Sequence, residues 1–173
     1  MTERNEVKRA LAVLIGLTFS ALADAQDFLQ QWRDSAAKAM NEFRTDHGPE
    51  IQAAGWRFVT AVTTPEGVPT ADVFVKDVKV QQGSIRSASV LTVAYVPVPA
   101  SDVPEYQSSR ALVWFDCTQG RYEQRGLARY ASVDGGGTPT SAEKAAATAP
   151  QMQPADPGSS QSALLTAVCS ATL

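Results

Sequence analysis

Trp56-Arg57-Phe58-Val59-Thr60-Ala61-Val62 is the stretch at which the chain changes character: the spacing of apolar residues passes from a period of about 3.6 to a period of about 2, from helix to strand. Upstream, Phe28, Leu29, Trp32, Ala36, Ala39, Met40 and Phe43 recur at helical steps and form one face of an amphipathic helix. Downstream, Pro65-Glu66-Gly67 predicts a turn, and Asp72 to Val80 carries Val73, Val75, Val78 and Val80 with a phase slip at Lys76-Asp77 that reads as a bulge or bend. Gln82-Gly83-Ser84 predicts a hairpin turn into a long β-type run from Ile85 to Val98. Pro97, Pro99 and Pro104 end that run, because proline donates no ladder hydrogen bond. Two further strands, Arg110 to Cys117 and Tyr122 to Tyr130, are joined through Thr118-Gln119-Gly120-Arg121. Successive hairpins in this order predict an α+β fold: a small antiparallel sheet of about five or six strands, with an extra N-terminal helix and a C-terminal helix packed on it.

Local signals set the expected boundaries. His47-Gly48-Pro49 is expected to stop the first helix, giving an amphipathic helix over 26–48 and a domain over 56–173. Residues 132–158 change composition, with Gly135-Gly136-Gly137, Thr138-Pro139, an Ala/Thr stretch, Pro150, Pro154 and Pro157-Gly158. So few large apolar groups are expected to leave a flexible surface loop. Helical spacing restarts at Ser159, where Ser159 or Ser160 can cap, with Leu164, Leu165, Val168 and Cys169 on one face.

The N-terminus carries an address. Lys8 and Arg9, an apolar run from Ala10 to Leu22 and then Ala23-Asp24-Ala25 have the charged start, apolar centre and small-residue ending of a secretory signal peptide over 1–25. The apolar run is shorter than the roughly 20 residues that a permanent span requires, so the expected product is an exported domain starting near Gln26, with no stable membrane span after cleavage. The net charge of -3 and the absence of a block of like charge give no electrostatic case for nucleic acid or anionic lipid as partner. Export places Cys117 and Cys169 in an oxidising compartment, where a lone pair closes into a disulfide, two free thiols being the alternative. Such a bond would clamp the last helix onto the sheet.

Catalytic chemistry finds little support. His47 sits beside Gly48-Pro49, where a cation complementing a helix end is the ordinary explanation. No Gly-x-Ser-x-Gly elbow or phosphate loop occurs, and Gly135-Gly136-Gly137 is not followed by Lys-Ser or Lys-Thr. Asp72 and Asp77 are uninformative alone, Asp116 is expected to bond in a cap or turn, and no metal or cofactor site is expected. One surface stands out. Strict alternation would put Arg121, Glu123, Arg125, Leu127 and Arg129 on one face of their strand, and Arg110 on the neighbouring strand would extend a basic patch suited to an acidic partner or sulfated glycan. A plain solvated sheet face is the alternative.

The run Tyr106 to Cys117, with Arg121-Tyr122, Tyr130, and Pro157-Gly158-Ser159 ahead of a helix ending in Cys169, resembles the surface-adhesin protein E family of Gram-negative bacteria over about residues 56 to 171. The resemblance implies a small antiparallel sheet with a helix packed on it and a disulfide between them. In some members it implies binding of host matrix or serum proteins at the cell surface without catalysis. Met152 stands near where the family commonly has a tryptophan, and the helix from Asp27 is an addition. No cysteine follows the signal segment to take a lipid. A soluble periplasmic module binding another envelope protein is therefore the second expectation.

Overall fold

The change of period at Trp56 is where helix gives way to sheet. A computed structural model describes residues 3–98, 105–143 and 151–171. Helix α1 (Glu3–Ala53) is followed by strands β1 (Arg57–Thr63), β2 (Pro69–Gln82), β3 (Ile85–Val98), β4 (Tyr106–Asp116), β5 (Arg121–Tyr130), β6 (Ser141–Glu143) and β7 (Gln153–Pro154), then helix α2 (Ser160–Cys169). All pairings are antiparallel, in the order β1-β2-β3-β4-β5-β6, with β7 also on β5. The fold is α+β with an open antiparallel sheet, as the order of periods predicts.

Turn chemistry sets the register. The β2–β3 hairpin closes at Gln82 opposite Ile85, and Gly83 supplies the positive φ of 56° that the turn needs. The phase slip at Lys76-Asp77 is a bulge: the β2–β3 register shifts between Lys76 and Lys79, and Asp77 takes φ 55°. Ser159 caps α2, its hydroxyl oxygen accepting from the Ser162 amide at 3.1 Å.

Each face of the sheet carries its own core. On one face Val73, Val75, Ala88, Val90, Ala111, Val113 and Phe115 pack with Leu164 and Val168 of α2. On the other, Phe74, Leu91 and Val93 pack with Phe43 and Ile51 of α1 and with Trp56. Ala71 to Val75 is therefore buried at every position rather than alternately.

Two boundaries differ from those the sequence predicts. Helix α1 does not stop at His47-Gly48-Pro49 but runs through Pro49 to Ala53. Proline removes one ladder donor, yet four to six residues later stands a better end. The Gly55 amide donates to the Gln52 carbonyl at 2.9 Å and the Trp56 amide to the Ile51 carbonyl at 3.2 Å, with Gly55 at φ 85°. This is a Schellman ending with its apolar contact, Ile51 and Trp56 both buried, and that packing outweighs the lost bond. His47 accordingly sits inside the helix, its ring 4.9 Å from that of Phe43 and its Nδ1 3.6 Å from a Glu50 carboxylate oxygen.

The second difference is the segment 132–158, read as a flexible loop. It lays β6 against Leu127–Arg129 and β7 against Arg121–Tyr122, both on the edge of β5 that β4 leaves free. Backbone pairing on an open edge requires no large apolar side chain, so composition is blind to it. Residues 144–150 lie outside the described residues, as do Pro99 and Pro104.

Cys117, directly after β4, is bonded to Cys169 at the end of α2, with Cα atoms 5.5 Å apart and 52 residues between them in sequence. On the chain-entropy account a loop of that length lowers the free energy of folding by about 4 kcal/mol. A Cys117→Ala/Cys169→Ala double variant is expected to lose stability of about that size in denaturant titration, and reduction of the native protein should lower its melting temperature similarly. Equal stability of the reduced and oxidised forms would show that α2 docks without the bond.

Candidate functional site

The first polar cluster holds α1 to the sheet. Asp72 on β2 is fully buried, and Arg44 of α1 meets it with two bonds, Nε to Oδ2 at 2.8 Å and Nη2 to Oδ1 at 2.6 Å. The Tyr95 hydroxyl donates to the same Oδ1 at 2.8 Å, and the Arg44 guanidinium also lies 5.0 Å from the Phe58 ring centre. Burial, then donation to the Asp72 carboxylate, pushes the Tyr95 hydroxyl well above its ordinary pKa. Every member is answered by another. This is a lock between elements.

The four arginines of the expected basic patch are not all brought together. Val113 pairs with Gln124 but Leu112 with Gly126, so β5 bulges at Arg125. The bulge reverses the alternation beyond it. Arg121, opposite Asp116, and Arg110, opposite Ala128, share the face of Trp114, whereas Leu127 and Arg129, opposite Ala111 and Ser109, turn to the α2 face. Arg125 lies with its guanidinium 4.7 Å from the Trp114 ring centre and its Nε 3.9 Å from Glu123. Arg110 stacks on Tyr130 at 5.2 Å, and Arg129 bonds Glu143 at 3.0 Å, which raises its pKa. Arg110, Arg125 and Arg129 each pack on or pair with a neighbour on the sheet.

A groove of about 700 Å³ opens on the Trp114 face at the end of the sheet. Trp114 and Ile85 lie within it, Gln81 and Gln82 come from the end of β2, Gln119 and Arg121 from the β4–β5 turn, and Gln151 and Met152 from the approach to β7. The turn is fixed by Asp116, whose Oδ1 accepts from the Gln119 amide at 3.0 Å, the Thr118 amide at 2.9 Å and the Ser84 hydroxyl at 3.1 Å. The Gln119 amide first, then Thr118 and Ser84, hold the Asp116 carboxyl below the usual carboxylate range. The Cys117 amide donates to the Ser84 carbonyl at 3.1 Å, joining the β2–β3 and β4–β5 turns. The Ala155 amide donates to the Gly120 carbonyl at 3.3 Å, seating β7. No local motif announces this groove, because its residues come from separated segments that meet only through the register. The bond at Asp116 and the candidate contact residue Arg121 are the parts legible in the sequence.

Two other surfaces are open to contact. Phe28 and Trp32, one turn apart on α1, are 67% and 43% exposed, and Trp32 borders an apolar cleft of about 340 Å³ with Ala36, Ala39, Val68 and Tyr95. A cleft of about 290 Å³ beside the start of α2 has Val73, Val90 and Ala111 in its lining and Gln124 and Gln161 among its polar groups. Among the described residues no cluster of His, Cys, Asp and Glu could hold a metal ion, and no helix is long and apolar enough to cross a membrane.

Removing Arg44 leaves a buried carboxylate with the Tyr95 hydroxyl as partner, while the Arg44 side chain is itself 38% exposed; Arg44→Met is therefore expected to cost about 2–3 kcal/mol, at or below the bottom of the roughly 3–5 kcal/mol for a broken buried pair. Arg44→Met/Asp72→Leu should recover part of that loss in a denaturant-measured mutant cycle; additive losses would show that the pair is not coupled. Asp116 has a lowered folded pKa, so its stabilisation is complete above the unfolded value of about 3.9 and is lost as pH falls through the lower folded value. Asp116→Asn should flatten the acid limb of a melting-temperature profile below about pH 4; an unchanged limb would exclude this carboxyl as its source.

Comparison with protein-family models matches residues 62–170 to the family described as surface-adhesin protein E. Comparisons with curated proteins and with solved structures find no match. The matched region runs from Val62 in β1 to Ser170, the C-cap of α2, and takes in both cysteines of the disulfide. The chain belongs to the surface-adhesin protein E family.

Proposed function

We propose that this protein is an exported, non-catalytic binding protein of the bacterial envelope or cell surface, with residues 1–25 as a cleaved export signal. The family match across the sheet and α2 carries the reading. A disulfide joining Cys117 and Cys169 fits an oxidising, exported setting. The partner class is a host matrix or serum protein, with Arg110 and Arg121 exposed on the Trp114 face, Arg125 packed on the Trp114 ring and Arg129 on the opposite face.

A second reading, an envelope accessory module that docks another envelope protein through α1, is favoured by the exposure of Phe28 and Trp32. Deleting the helix would not test it cleanly, since α1 also supplies Arg44, Phe43 and Ile51 to the fold. Phe28→Ala/Trp32→Ala removes only exposed side chains.

Antibody labelling of intact against permeabilised cells, with a periplasmic protein as control, should show the native protein from outside, and mass spectrometry should find it beginning near Gln26. Labelling only after permeabilisation would remove the adhesin reading. Any envelope partner captured from such cells and lost in Phe28→Ala/Trp32→Ala would then support the accessory module.

A further inference from the structure

We propose that the groove beside Trp114 binds a ring of an uncharged sugar chain, an inference that rests on the reading of this chain as a binding protein and gives that reading a ligand class. Its lining combines an indole with four primary amides, Gln81, Gln82, Gln119 and Gln151, and a single charged group, Arg121. Each amide offers both a carbonyl acceptor and N–H donors, one N–H of Gln81 being already given to the Ser87 hydroxyl at 2.6 Å. A hydroxyl likewise donates and accepts, so a polyhydroxylated ligand can satisfy both ends of every amide. A carboxylate or sulfate only accepts and would leave the amide oxygens facing like groups, and an apolar segment would leave the amides without partners. A pyranose ring offers an apolar C–H face for the part of the indole that lines the groove beside Arg125, and a rim of hydroxyls for the amides.

Charge points the same way. Arg121 is the cross-strand neighbour of the carboxylate Asp116, so one positive and one negative group stand side by side at this end of the sheet. The groove therefore makes no net demand for an anion. Its volume of about 700 Å³ falls within the usual span of small-ligand sites, about 300–1,000 Å³. Its walls are set before any ligand arrives: the Asp116 bonds hold the turn that carries Gln119, and pairing of Arg121 with Pro154 and Tyr122 with Gln153 seats the strand that follows Gln151. Preorganised walls lower the ordering cost of binding.

The test is calorimetric titration and saturation-transfer NMR on the purified, disulfide-intact protein, using chitotriose, N-acetyllactosamine and a heparin-derived tetrasaccharide as probes. Chitotriose stands for wall-type sugar chains and N-acetyllactosamine for those of animal glycoproteins, so the two arms separate an envelope source from a host source. Saturable binding of either neutral sugar is expected, weakened about tenfold by Trp114→Ala. Because Trp114 also stacks with Arg125, the second variant is Gln119→Ala/Gln151→Ala, whose exposed amides can be removed without touching the core; it should weaken binding as well, while Trp32→Ala on α1 should not. No saturable binding by a neutral sugar, binding only of the heparin fragment, or binding indifferent to the glutamine variant overturns the assignment. Those results leave the binding-protein reading standing, whereas cleavage of a bound sugar would overturn the non-catalytic reading and keep the ligand class.

Discussion

A sheet whose central strands are apolar on both faces cannot stand in water with either face bare. Val73 and Val75 point one way and Phe74 the other, and their hairpin partners Val90 and Leu91 divide in the same manner. Both faces must be covered. The two covers are held by different physics. Helix α2 has only ten residues, too short to persist on its own, and the disulfide to Cys117 removes much of the entropy of bringing it back across the segment from 132 to 158. Helix α1 is long and supplies Phe43 and Ile51, but its angle over the sheet is set where Arg44 reaches Asp72. A buried ion pair contributes little net stability; it favours the seating of the helix in which Arg44 joins Tyr95 in bonding the Asp72 carboxylate.

Features fixed within a few residues were legible in the sequence. The Gly83 hairpin, the bulge at Asp77, the cap at Ser159 and the whole span of β5 follow from local turn chemistry and period. The end of α1 was not, because Gly48-Pro49 and Gly55 both carry stop signals and the choice between them is made by Ile51 and Trp56 entering a core that local sequence does not display. Strands β6 and β7 were missed for the opposite reason: they are held by backbone bonds to β5, which composition does not report. The single displaced register at Arg125 shows the cost of assuming strict alternation. One extra residue moves Leu127 and Arg129 to the other face, and a patch of four arginines becomes a set of three with one outlier.

That outcome bears on what the protein can recognise. A guanidinium is planar and weakly hydrated, so arginine packs on aromatic rings where lysine would remain in water. Arg110 on Tyr130, Arg125 on Trp114 and Arg129 near Tyr106 lay their planes against rings of the sheet. On a chain of net charge -3 they serve as structure more than as bait for a polyanion. Discrimination then falls to uncharged groups, such as the four amides that line one groove with Trp114.

The position of that groove is tied to the way α2 is held. Cys117 and Asp116 are consecutive: the cysteine carries the clamp to α2, and the aspartate fixes the turn that presents Gln119 to the opposite face. The Cys117 amide also bonds the Ser84 carbonyl, so the covalent link, the β2–β3 hairpin and the β4–β5 turn meet within a few ångströms of backbone. Motion of this end of β4 would at once loosen the helix and part the walls of the groove. A clamp placed elsewhere on α2 could cover the core equally well, but it would leave the β4–β5 turn to its own hydrogen bonds. Covering the sheet and shaping the groove are thus two consequences of anchoring the same pair of residues.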